Sequence, residues 1–196
     1  MIFNNIYSGK FFNQMKKLFL ILIAFLFIAS CKKDDPVYQM PDNLLQTSDL
    51  ETYPFFYNYS SNDSIISVWN EEDAHSPTHS IKISNTNMDT AFYSFWYQYY
   101  AGKMPVGEKL TLSAYIKGIN LEGQGILLGI QCNAGKTISQ FVTSSDTHIT
   151  GTFDWTPFTL DSEELAGDVS ILYLEIVYLP LTTGTVYIDD ITLTHQ

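Results

Sequence analysis

The chain has no arginine, and only ten lysines stand against twenty-one aspartates and glutamates. Past Cys31 the imbalance widens, because seven lysines and twenty-one acidic residues leave a net charge of −14. Affinity for nucleic acid depends on clustered cations that displace phosphate counterions. Such clusters are missing, so a nucleic-acid partner is excluded and strongly anionic polymers are disfavoured. Cysteine is equally scarce: only Cys31 and Cys132 occur, too few for a disulfide framework. Stability must therefore come from an apolar core. Cys132 falls in phase with Ile126, Leu128 and Ile130 and reads as a buried, unpaired apolar residue. Helical periodicity is absent too, since no window of a dozen residues shows a 3.6-residue stripe. The four histidines, His75, His79, His148 and His195, show no metal-ligand spacing. No Gly-x-Ser-x-Gly elbow, phosphate-cradling glycine loop or zinc cysteine set occurs.

What is present begins with a leader. Met15-Lys16-Lys17 is a positive n-region, and Leu18 to Ser30 is a thirteen-residue stretch without charge. That is short for a membrane span, which needs about twenty residues, and suits a signal-peptide h-region. The stretch closes on Ile28-Ala29-Ser30-Cys31, which resembles the lipobox of bacterial lipoproteins. Residues 1–30 are thus expected to be a signal peptide and Cys31 the lipidated N-terminus. Stable anchoring takes more than one acyl chain. Residues before Met15 fit this scheme poorly and leave the start codon open between Met1 and Met15. Lys32-Lys33-Asp34-Asp35 resembles a short acidic export tag, which points to the outer membrane and the cell surface. Residues 31–47 mix charge, proline and polar groups and read as a flexible tether.

From residue 48 to 196 the composition changes. Valine, isoleucine, threonine, tyrosine and phenylalanine recur in short runs bounded by Gly, Asn, Asp and Ser. Strands are expected near 65–69, 78–84, 90–100, 109–117, 125–132, 137–143, 153–159, 169–178 and 185–194, with a helical turn at Asp161 to Ala166. Loops are expected at Gly102 to Gly107 and Asn120 to Gly125, among others. This density of strands defines an all-β fold, a jelly-roll β-sandwich of two antiparallel sheets. Alternation sends Leu110, Leu112, Ala114 and Ile116 inward and Tyr115 and Lys117 outward. Leu172, Leu174 and Ile176 likewise turn inward, leaving Tyr173 and Glu175 outside.

Four segments, in order, resemble the jelly-roll carbohydrate-binding modules of families 4, 9, 16 and 22. They are Ser76-Pro-Thr-His-Ser-Ile-Lys-Ile83, Met104 to Gly118, Gly151-Thr-Phe-Asp-Trp-Thr-Pro-Phe158 and Gly184-Thr-Val-Tyr-Ile-Asp-Asp-Ile-Thr-Leu193. Together they cover 76–193. The opening departs from the pattern, with Asp49-Leu50-Glu51 where an Asn-Phe-Glu sequence is typical. The resemblance implies a monomer that binds a neutral polysaccharide or oligosaccharide and does no chemistry; the Glu-x-Asp-x-x-Glu string of jelly-roll glucanases is missing. It also implies a structural calcium near the meeting of the two chain ends, held by Asp189 and Glu51 with Asp190 in reserve. A protein-docking or scaffold module of the cell envelope is the alternative on the same fold.

A sugar site wants flat aromatic rings for its C–H faces and a few amides or carboxylates for its hydroxyls. Phe92 to Tyr100 is the densest aromatic run in the chain. If Ser94 and Gln98 mark its solvent face, Phe92, Trp96 and Tyr100 share that face. Tyr93, Phe95, Tyr97 and Tyr99 then point to the core. Tyr115, Gln131, Tyr173 and Glu175 on other strands would complete the floor. A slip of one residue exchanges the two sets. Trp155 is expected in the core, and Trp69 either in the core or at the rim of the site.

Overall fold

The structure is a computed structural model, and it describes residues 40–53, 56–89, 91–144 and 148–196. The signal peptide, Cys31 and most of the tether lie outside the described residues. The fold is all-β. Its strands are β1 (Tyr57–Ser60), β2 (Ile66–Asn70), β3 (Ser80–Asn85), β4 (Ser94–Tyr100), β5 (Leu110–Ala134), β6 (Thr137–Thr143), β7 (Ile149–Asp161), β8 (Ile171–Tyr178) and β9 (Thr183–His195). Every pairing is antiparallel, and the path runs β1-β4-β8-β5-β9-β3-β2, with β6 and β7 also pairing β5.

The long strand β5 organises the molecule. Its first half pairs with β7 and β9, and its second half with β8 and β6. The stretch from Asn120 to Gly125, expected as a loop, is the crossing between the halves and stays within the strand. Gly123 has φ +85° there, and a Cβ on it would run into the Leu181 carbonyl. Only glycine tolerates both conditions. Ser67 of β2 meets Asn58, Ser94 and Trp96 of β1 and β4 through hydrogen bonds, so the sheet is nearly closed. This architecture is consistent with a β-sandwich of jelly-roll type.

The interior follows the expected alternation on most strands. Leu110, Leu112, Ala114, Ile116, Ile126, Ile130 and Cys132 of β5 are fully buried, as are Leu172, Leu174 and Ile176 of β8. Each buried leucine or isoleucine contributes about 1.5–3 kcal/mol. Cys132 is free and buried, as its phase on the strand predicts, and burial pushes its thiol up to about 11.

Three further features of the fold differ from the sequence reading. Strand β1 is exposed and only four residues long, too short to announce itself by alternation. No helix occurs at Asp161 to Ala166; Ser162 accepts a bond from Leu110 N–H and donates to the Glu163 carbonyl instead. Ordered packing also begins before residue 48. Asn43 bridges to Thr194, Leu44 N–H donates to the Leu193 carbonyl, and Leu44 and Leu45 are buried.

Candidate functional site

Strand β4 carries the opposite phase to the one its polar residues advertise. Ser94, Trp96 and Gln98 are buried, whereas Phe95 and Tyr97 are half-buried and Tyr99 is 46% exposed. Each inward polar group has a partner. The Ser94 hydroxyl lies 2.9 Å from Ser67 Oγ, and Trp96 Nε1 donates to the same oxygen at 2.8 Å. Gln98 Oε1 accepts from Gln46 N–H at 2.7 Å, and Nε2 donates to the Gln46 carbonyl at 3.0 Å. That side chain acts like one more rung of backbone pairing and ties the leading segment to the sheet. The expected ligand contacts Phe92, Trp96, Gln98 and Tyr100 are therefore not on the solvent face. Trp96 and Gln98 are structural, and Phe92 and Tyr100 pack against the core.

The residues assigned to the core form the exposed face instead. Register sets them in rows across β1, β4, β8, β5 and β6. One row is Tyr57, Tyr97, Glu175, Gly129, Thr143; the next is Tyr99, Tyr173, Gln131, Phe141; a third holds Tyr59, Phe95, Val177, Leu127. The rings touch in series. Tyr57 stacks on Tyr97 with centroids 5.2 Å apart and lies 6.1 Å from Tyr99. Tyr173 stands 6.3 Å from Tyr97 and 6.1 Å from Tyr99, tilted by about 50° to both. Tyr59 contacts Tyr93 and Phe95, and Phe95 contacts Tyr97. Tyr57, Tyr59 and Phe141 are about half exposed, so the ladder is open to water. The neighbouring Tyr99 phenol raises the pKa of Tyr57, which marks their polar tips as close together.

Three predicted members do meet on this face: Gln131, Tyr173 and Glu175. Tyr115 does not. It lies on the first half of β5 opposite Asp189 and stacks on His75 at 3.8 Å. Lys117 beside it is ion-paired to Asp73 at 2.7 Å. Trp155, expected in the core, is half-buried in this second cluster, 5.7 Å from His75. Trp69 packs against the core, donates to the Leu50 carbonyl and stacks on His79 at 4.1 Å, away from the tyrosine ladder.

Within the ladder, Glu175 is the one ionisable group besides the phenols. It sits between Tyr97 and Gly129, and desolvation raises its pKa. Among the described residues no cation or hydrogen-bond donor reaches it. Gly129 keeps the space beside it clear, since a Cβ there would lie 3.5 Å from Glu175 Cβ and 3.6 Å from the Phe141 ring. The face therefore offers ring faces, an amide and an unpaired carboxylate on a rigid sheet.

The expected metal ligands gather at the Asp189-Asp190 pair. Asp190 has φ +45° in a strand, and the register with β5 shifts there. This bulge turns both Ile188 and Ile191 into the core while the carboxylates go the other way. The Ser76 hydroxyl lies within 3.1 Å of Asp189 Oδ1 and Oδ2, Glu51 Oε1 and the Asp49 carbonyl. The set is rich in the oxygens a hard cation takes, but backbone N–H groups already donate to it: His75 and Ser76 to Asp189 Oδ2, Asp190 to Asp189 Oδ1, and Thr78 and His79 to Glu51 Oε1. Asp190 departs from this set, because its carboxylate is turned to His75 Nδ1 at 2.6 Å. Among the described residues no group of three or more His, Cys, Asp and Glu side chains is arranged to hold a metal. The fit thus rests on two carboxylates, one carbonyl and one hydroxyl.

No known family profile matches the chain, and no curated protein does. Its fold is nevertheless shared with solved structures. A family-61 carbohydrate-binding module in complex with β-1,4-galactotriose superposes with a TM-score of 0.54 at 11% identity, over 80% of this chain and 100% of that one. The family-22 xylan-binding domain of a Paenibacillus barcinonensis enzyme gives 0.51 at 11% identity, over 81% and 97%. The enzymatically active domain of bacteriophage CBA120 tailspike protein 4 gives 0.60 at 10% identity, over 79% of this chain; the chain spans only 22% of that protein's length. Cyclases and an arabinofuranosidase share the fold as well. The fold is that of carbohydrate-binding modules, and it also serves enzymes.

Proposed function

We propose that this protein binds a neutral glycan chain, without catalysis, on the outward face of β1, β4, β8, β5 and β6. The observation that supports this reading most is the open run of contacting rings, Tyr57, Tyr97, Tyr99 and Tyr173, beside Gln131 and Glu175. Two residues along a strand span about 7 Å and adjacent strands about 4.8 Å, spacings on the scale of a sugar ring. Rings at those intervals stack on C–H faces, while the amide and the carboxylate take hydroxyls. The site offers one half-buried carboxylate and no partner carboxylate on its rows, whereas glycoside hydrolysis uses two. The jelly roll is read as two antiparallel sheets sharing β5, in a monomer.

In the same reading, the chain is a lipoprotein acylated at Cys31 and held at the surface of the outer membrane. Glu51 and Asp189, with the Asp49 carbonyl and the Ser76 hydroxyl, would hold a calcium ion. The ion would supply charge that draws the leading segment to the last strand.

The test is calorimetric titration of the protein with a panel of soluble neutral oligosaccharides. Micromolar to millimolar binding is expected, weakened at least tenfold in a Tyr97→Ala, Tyr173→Ala double variant. A folded protein that binds none of the panel refutes the reading. Fatty-acid labelling that Cys31→Ser abolishes tests the anchor.

A further inference from the structure

Among the described residues no ion pair or hydrogen bond ties the Glu175 side chain to the fold. It lies in the middle of the face, with Phe95, Tyr97 and Tyr99 on β4, Tyr173 and Val177 on its own strand, and Leu127, Gly129 and Gln131 on β5. None of these is a cation. Among the described lysines, Lys82, Lys103, Lys109 and Lys117 are paired to Glu72, Asp168, Glu164 and Asp73. Lys136 stands in the turn between β5 and β6, seven residues from Gly129. A partly desolvated carboxylate without a counter-charge is disfavoured in the free protein. Hydroxyls of a neutral sugar would meet its hydrogen-bonding needs but leave its charge unmatched.

A protonated amine meets both needs. It donates charge-assisted hydrogen bonds to the carboxylate. A phenol ring attracts a cation held within about 6 Å of its face, and Tyr97 adjoins Glu175 across the strands while Tyr173 lies two residues before it. Tyr173 is tilted by about 50° to Tyr97 and Tyr99, so these rings wall the position beside Glu175 from more than one direction. The net charge of −14 past Cys31 favours approach of a cation. We infer that the sugar unit lying over Glu175 carries a protonated amine, so that the ligand is a glycan with an amino sugar at this position. The inference rests on the sugar-binding reading above and changes it at one unit: the chain is neutral except over Glu175.

Three β-1,4-linked tetrasaccharides that differ at C2 test it directly: the glucosamine tetramer, its N-acetylated form and cellotetraose. At neutral pH and fixed salt the glucosamine tetramer is expected to bind about tenfold more tightly than either other, a difference of about 1.4 kcal/mol. Glu175→Gln, which keeps the shape and removes the charge, should erase that preference, bringing the glucosamine tetramer to the affinity of cellotetraose. Lys136→Gln, off the face, should leave all affinities as they are. Equal or weaker binding of the amine, alongside binding of a neutral glycan, overturns the inference and leaves the sugar-binding reading standing. A preference for the amine that survives Glu175→Gln also overturns it, placing the cation elsewhere on an acidic surface. No binding of any sugar removes both.

Discussion

The phase of β4 carries the functional account, and two neighbouring substitutions test it. Trp96 is 3% exposed and donates its indole N–H to Ser67 Oγ at 2.8 Å. Replacing a buried tryptophan by alanine leaves a cavity and costs about 3–5 kcal/mol. The loss of its hydrogen bond adds little, because Ser67 Oγ keeps Ser94 Oγ as a partner at 2.9 Å. In a domain of this size each kcal/mol lowers Tm by about 2–4 °C, so Trp96→Ala should melt roughly 6–20 °C below the wild type. Tyr97, one residue on, faces solvent and loses chiefly its ring contacts to Tyr57 at 5.2 Å and Tyr173 at 6.3 Å. Such contacts each contribute about 0.5–1.5 kcal/mol when formed in water-excluded settings, and less on an open face. Tyr97→Ala should therefore shift Tm by only a few degrees yet weaken oligosaccharide binding about tenfold. Thermal unfolding followed by circular dichroism, together with calorimetric titration of each folded variant, reads both effects. The reverse result, a stable Trp96→Ala that has lost binding and a Tyr97→Ala that unfolds early, would refute the assignment of faces.

Other expectations follow from the same geometry. Desolvation raises the pKa of Glu175 above its ordinary 4.5, so the folded state is penalised wherever that group is ionised in it. Glu175→Gln should raise Tm at neutral pH, and the gain should fade as pH falls through the raised pKa and vanish below about 4.5, where both states are protonated. A constant gain across that range would show that charge is not the cause. Gln98→Ala breaks both bonds to Gln46 and should cost about 1–3 kcal/mol in denaturant unfolding; an unchanged midpoint would deny it the anchoring role. Millimolar calcium should raise Tm through Glu51 and Asp189, and Asp189→Asn should abolish the shift; a chelator-treated sample indifferent to calcium refutes that site. Cys132, buried with its thiol pushed up to about 11, should react with a thiol reagent only after denaturation, and rapid reaction in the native state would contradict its place in the core.

Much of the fold was legible because most strands obey one rule, apolar residues inward and polar residues outward. The first half of β5 and all of β8 alternate so cleanly that burial follows residue type. The crossing at Asn120 to Gly125 was misread as a loop because glycines there serve a close approach between strands rather than a turn. The site was misread for a sharper reason. On β4 the polar residues Ser94 and Gln98 are the buried ones, satisfied by Ser67 and Gln46 from distant parts of the chain. The tyrosines they displaced are left in water. Alternation fixes which residues share a face but not which face is inside, and β4, which exposes its rings, departs from the usual assignment. Register with β8 supplied what sequence lacked, by placing Tyr97 next to Glu175 and Tyr99 next to Tyr173. Tyr115 was misplaced because periodicity cannot say which half of a bent strand a residue serves.

Whether a sugar lies across the tyrosine ladder is decided by mapping amide chemical-shift changes during titration with an oligosaccharide that binds. Changes should concentrate on Tyr57, Tyr97, Tyr99, Gln131, Phe141, Tyr173 and Glu175, with Tyr115 and Trp155 unmoved. Changes centred on His75, Tyr115 and Trp155, with the ladder silent, would contradict that placement of the sugar.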